Sequence, residues 1–77
     1  MRLFTVSCWR PHRPHEDSFL YGLVAAETSD EAEEVCRAAG AMAGYVRFET
    51  ESERPGAPGL REPRLICYAP RRNCQAY

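Results

Sequence analysis

The sequence predicts a small α+β protein: a single-layer antiparallel sheet of four to five strands with one helix packed on one face, in the order β-β-α-β-β. Three observations carry this reading. Only one stretch, Thr28 to Gly40 (TSDEAEEVCRAAG), has helical periodicity. The segments on either side read as strands separated by Pro- and Gly-containing turns. The 77 residues also leave room for one domain only, residues 1–77, because a chain of this size buries just ~60% of its unfolded surface and forms a thin core.

Leu3 to Arg10 reads as the first strand, with Phe4, Val6 and Cys8 on one face and Leu3, Thr5, Ser7 and Trp9 on the other. Two prolines in the segment Pro11 to His15 forbid continued sheet pairing. Phe19 to Glu27 is apolar on both faces, which predicts either a central strand under the helix or an outer face covered by a partner. Gly22 in its middle marks either a bulge or a close approach of that helix.

In the helix, Thr28 and Glu31 have capping-box spacing, and Asp30 and Glu31 place negative charge at the positive end of the helix dipole. Ala32, Val35, Cys36 and Ala39 recur at i, i+3, i+4 and i+7 and form a narrow apolar stripe. Glu33, Glu34 and Arg37 fall outside it and are expected to face outward. Gly40 is expected to end the helix in a left-handed conformation.

After a short linker, Ala41 to Gly44, the stretch Tyr45 to Ser52 alternates cleanly. Val46, Phe48 and Thr50 are expected on the buried face, with Tyr45, Arg47, Glu49 and Glu51 in water. Glu53 to Pro63 reads as a loop, Arg64 to Pro70 as a strand, and Cys74 to Tyr77 as a brief last strand after a turn at Pro70 to Asn73. The sheet face away from the helix is expected to be exposed, with Trp9, Tyr45 and either Tyr21 or Tyr68 on it.

The net charge of −1 argues against a protein that grips nucleic acid mainly through its phosphates. All ten basic residues are Arg, a composition suited to bidentate contacts and also to a high-GC genome. Acidic residues crowd the middle of the chain, while Arg10 and Arg13 lie near its start and Arg71 and Arg72 near its end. No apolar run reaches membrane-spanning length, and no signal-peptide pattern precedes the first strand. A cytoplasmic protein is therefore expected, with its four Cys mostly reduced.

The chemistry-bearing residues support few sites. Cys8, His12 and His15 are close in sequence, but their spacings fit tetrahedral zinc poorly and no CxxC is present. A zinc-stabilised structural module is the third reading, and neither metal nor cofactor is expected. Cys67 and Cys74 flank the Arg71-Arg72 turn, and a bridge there is disfavoured in a reducing compartment. A monomer or weak dimer is expected, with a Cys link as one form of the latter. No nucleophile motif surrounds Cys8, His12, His15 and Asp17, and a one-layer sheet offers no deep pocket, so an enzyme is not expected. Gly56 to Gly59 (GAPG) lacks the lysine and the strand-to-helix setting of a phosphate-binding loop.

Two surfaces remain. Arg10, Arg13, Arg71 and Arg72 gather at one end of the sheet if the first and last strands are neighbours, which would suit a small nucleic-acid-associated or regulatory domain. Glu33, Glu34, Glu49, Glu51 and Glu53 form an acidic set able to imitate phosphates or enter a basic groove.

A strand opening at Met1, then AAETSDEAEEV leading into the helix, then GYVRFET and a final LICYAPRRNCQAY, resembles the small phage-encoded anti-CRISPR proteins that inhibit type I systems. The resemblance implies a non-enzymatic inhibitor, acting in the cytoplasm of the infected bacterial host. Its protein partner would be a crRNA-guided surveillance complex (Cascade), whose binding to target DNA it would block. Direct nucleic-acid binding is the lesser expectation. The Arg-rich sheet end (Arg10, Arg13, Arg71, Arg72) or the helix face (Glu33, Glu34, Arg37) would make the contact.

Overall fold

The computed structural model describes residues 1–11, 19–56, 59 and 61–70. They form β1 (Arg2–Trp9), β2 (Phe19–Ala26), α1 (Ser29–Ala38), a 3₁₀ turn (Gly40–Met42), β3 (Arg47–Arg54) and β4 (Arg64–Ala69). The four strands make one antiparallel sheet in the order β3-β1-β2-β4, and α1 packs across one face of it. This is the α+β architecture predicted. The expected last strand, Cys74 to Tyr77, lies outside the described residues, as do the loop histidines His12 and His15. Among the described residues no helix is long and apolar enough to cross a membrane.

β1 and β2 are the central strands, which explains why β2 is apolar on both faces. Beneath α1 the core consists of Phe4, Val6, Cys8, Val24, Ala26, Ala32, Cys36, Met42 and Phe48. Each large side chain in it contributes about 1.5–3 kcal/mol by leaving water. Gly22 marks close approach. The β1–β2 register runs unbroken from Arg2↔Ala26 to Trp9↔Phe19, and the irregularity in the β2–β4 pairing falls between Leu23 and Val24, beyond Gly22. A Cβ at Gly22 would instead lie 3.2 Å from Cys36 Sγ and 2.9 Å from Leu65 Cδ1.

Thr28 caps α1, its Oγ1 accepting from the Glu31 N–H at 3.1 Å, an interaction worth ~1 kcal/mol. The Glu31 carboxylate reaches back to the Glu27 N–H at 2.7 Å, one residue before the cap. The far end differs from expectation. Ala39, at φ −71° and ψ 133°, ends the helix, and its N–H donates to the Cys36 carbonyl at 3.2 Å. Gly40 opens the 3₁₀ turn and has no positive φ; that conformation belongs to Gly44, at φ 92°. The physical reason is Met42. The tight turn swings this side chain under α1, where it is 1% exposed, so the predicted linker is part of the core.

The turn also overturns the expected alternation at the start of β3. Tyr45 packs against the core under the helix, while Val46 is 59% exposed. Both precede the strand, so the two-residue period does not yet apply to them. It holds from Phe48, which is buried, through half-buried Thr50. A register shift opposite Thr5 and Val6 then carries β3 on to Arg54, past the predicted end at Ser52.

The sheet face away from α1 is not simply open. Leu3, Leu23 and Ala25 form a second buried cluster with Met1, Ile66 and Cys67 packed against it, and Ser7 is fully buried. Trp9 and Tyr21 share this face by register and are half-buried. Tyr68 lies opposite Gly22, on the helix side, and is 52% exposed. The cysteines also depart from expectation. Cys8 and Cys36 are free, but Cys67 is disulfide-bonded, with its partner outside the described residues.

Candidate functional site

The predicted site residues fall into different settings. Arg13, Arg71 and Arg72 lie outside the described residues. Arg10 follows the last residue of β1, and its guanidinium stacks over the Tyr45 ring at 5.2 Å. The condition for an arginine cluster is not met by the described strands, because β2 separates β1 from β4. Trp9 and Ala69 do lie near the same end of the sheet, by way of Phe19 and Tyr21 of β2. Two strand spacings of about 4.8 Å therefore separate the points where β1 and β4 leave it.

On α1 the three outward residues divide. Glu34 is exposed and pairs with Arg37 one turn away. Arg37 also lies over the Phe48 ring at 5.3 Å, shielding that core side chain. Glu33 is not displayed outward. Its Oε2 accepts from both the backbone N–H and the Oγ1 of Thr50, each at 3.0 Å, and so fastens α1 to β3.

This difference has a measurable consequence. Glu33→Ala removes the acceptor from a part-buried backbone N–H and is expected to cost ~1–3 kcal/mol. Glu34→Ala loses only an exposed ion pair and is expected to change stability by less than ~0.5 kcal/mol. Urea denaturation of the two variants checks this, and equal losses would refute the fastening role of Glu33.

The fastening gathers charge. α1 and β3 together carry seven carboxylates (Asp30, Glu31, Glu33, Glu34, Glu49, Glu51 and Glu53) against three guanidinium groups (Arg37, Arg47 and Arg54), a formal balance of −4. β3 is the outermost strand on this side of the sheet, so these groups border the molecule. Several are held in place by neighbours: Ser7 donates to Glu51, Arg47 pairs with Glu49, and Arg2 pairs with Glu53.

A second grouping was not expected. Arg47 stacks over the Trp9 ring at 4.3 Å, on the face away from α1. With Arg10 over Tyr45 it puts two arginine–aromatic stacks near one end of the sheet. Both Trp9 and Arg47 are legible as outward residues of their strands; that they meet follows only from the β1–β3 pairing, which places them directly opposite.

No enclosed chemical site accompanies these surfaces among the described residues. A 420 Å³ cleft is lined by Arg2, Glu53, Arg54 and Pro55, and a 240 Å³ one by Gly59, Arg61, Glu62 and Arg64. No group of three or more His, Cys, Asp or Glu side chains is gathered there to hold a metal ion. Cys8 faces Cys36 in the core, with the sulfurs 3.6 Å apart. The hydrogen bond between the two thiols, and then burial, push the Cys8 thiol far above its ordinary range. It is held as a protonated thiol. Comparison with protein-family models, curated proteins and solved structures finds no match.

Proposed function

We propose that the protein is a non-enzymatic, phage-type inhibitor that binds a type I CRISPR surveillance complex and blocks its binding to target DNA. The observation that supports this reading best is the acidic border formed by α1 and β3 and made rigid by the Glu33–Thr50 hydrogen bonds. A complex that binds DNA holds the phosphates through lysine and arginine, and a fixed row of carboxylates competes for the same groups. Opposed charge also speeds encounter with a basic groove. On this reading the protein works in the cytoplasm of the infected host.

The two arginine–aromatic stacks support a second reading, a small nucleic-acid-associated domain that uses the Arg10 end. A gel shift of target DNA, with and without a purified type I complex, separates the two. The inhibitor abolishes the shift caused by the complex and causes none itself. Charge reversal at Glu34 and Glu49 together is expected to weaken inhibition by ~10-fold or more, the equivalent of ~1.4 kcal/mol. Failure to bind any type I complex, together with failure to restore phage growth in a CRISPR-active host, refutes the proposal. A shift of DNA by the protein alone favours the second reading.

A further inference from the structure

Cys8 on β1 and Cys36 on α1 are both 0% exposed, and their sulfurs touch at 3.6 Å across the helix–sheet interface. Neither side chain hydrogen-bonds to a charged group; Cys8 reaches only the Val6 carbonyl and the Cys36 sulfur. Packing alone does not call for two thiols here, since a free cysteine packs as a small hydrophobe that alanine or valine approximates. The contact exists because small residues let α1 lie close to the sheet. Gly22 leaves the space beside Cys36 Sγ that a Cβ would enter, and Ala32 is fully buried on the same stripe. A disulfide needs the sulfurs at ~2.05 Å, so they must approach by about 1.5 Å. That approach is made where α1 already lies closest to the sheet, beside Gly22 and the buried Ala32.

We infer that Cys8 and Cys36 form a reversible disulfide between β1 and α1 when a small peroxide reaches the core. In the first step Cys36, whose sulfur accepts the hydrogen bond of the protonated Cys8 thiol, gives up its proton and attacks the peroxide; the O–O bond breaks, one oxygen stays on the Cys36 sulfur as a sulfenic acid and the other takes up that proton and leaves as water. The second sulfur then attacks the sulfenic sulfur, an S–S bond forms and a second water leaves. Two thiols lose two electrons and two protons, and one hydrogen peroxide becomes two waters. The oxidant must be small because complete burial excludes a bulky disulfide such as oxidised glutathione, whereas a peroxide is close to water in size. The bond ties residues 28 apart in the chain. Loop-closure entropy alone would then raise the folded-to-unfolded ratio roughly 400-fold. It also locks the helix that carries Glu33 and Glu34. The inference is independent of the identity of the partner.

The test uses full-length protein, first reduced, then exposed to hydrogen peroxide while folded. Remaining thiols are alkylated in denaturant and the chain is cleaved after glutamate. Cys8 then lies on peptide 1–16, Cys36 on peptide 35–49, and Cys67 separately on 54–77, since the Glu62–Pro63 bond resists cleavage. A linked 1–16/35–49 peptide short of two hydrogen atoms is expected, disappearing on reduction and accompanied by a rise in the urea midpoint. The Cys36→Ala variant should give no such peptide; if it fails to fold, the wild-type peptide map still decides. Full alkylation of both cysteines after peroxide overturns the inference, and so does sulfinic or sulfonic acid without the linked peptide.

Discussion

Met42→Ala is expected to lower the unfolding free energy by ~2–5 kcal/mol, as truncations of well-packed core side chains do. A chain of 77 residues has in total only about 4–12 kcal/mol to lose, at ~0.05–0.15 kcal/mol per residue. The variant should therefore be partly unfolded at room temperature or melt far below the parent protein. Met42 is 1% exposed, and its Cε comes within 3.5 Å of the point where a Gly22 Cβ would lie. It fills the space between the end of α1 and the middle of β2. Thermal and urea denaturation measure the loss. A change below ~1 kcal/mol would mean that the 3₁₀ turn does not hold Met42 in the core.

Gly22→Val tests the same interface from the sheet side, and here two effects oppose each other. Valine favours strands and glycine does not, so backbone preference predicts a gain of up to ~1 kcal/mol. Packing predicts a loss of ~1–3 kcal/mol, because the added methyl groups extend beyond a Cβ already 2.9 Å from Leu65 Cδ1 and 3.2 Å from Cys36 Sγ. Packing should win. Gly22→Ala should cost less, since Leu65 Cδ1 and Met42 Cε are the ends of flexible side chains and can give way. Denaturation of both variants checks the order, and a stabilised Gly22→Val would show that α1 is free to lift from the sheet.

Sequence pattern revealed the fold where a period ran unbroken. The alternation of β1 and the stripe of α1 each have one structural solution, the two-faced apolar character of β2 is resolved by its central place in the sheet, and the predicted ends agree with the observed ones to within about two residues, the usual margin. What stayed hidden depended on long-range contacts. Met42 lies among small residues in a segment without a period, so nothing local marks it as core. Gly40 resembles a helix stop, yet the chain ends the helix one residue earlier because Met42 must turn inward. Glu33 is outside the apolar stripe and looks like a surface residue; only the place of Thr50 beside it shows that it is a fastener. The Trp9–Arg47 stack likewise depends on β1 and β3 being neighbours, a pairing that strand spacing does not specify. The acidic border was legible as composition, while its rigidity was not.

The strand order β3-β1-β2-β4 has a consequence for how the chain assembles. Only β1 and β2 are both sequence neighbours and sheet neighbours. β1 waits for β3 across the intervening β2 and α1, and β2 waits for β4 across α1 and β3. As the chain emerges during synthesis, the first pair stands with both flanks open until the residues after the helix arrive. Closing such long loops slows folding more than it weakens the finished state. The wait ends on one side with a strand that is charged at five of its eight positions, a composition poorly suited to pairing with a second copy of itself.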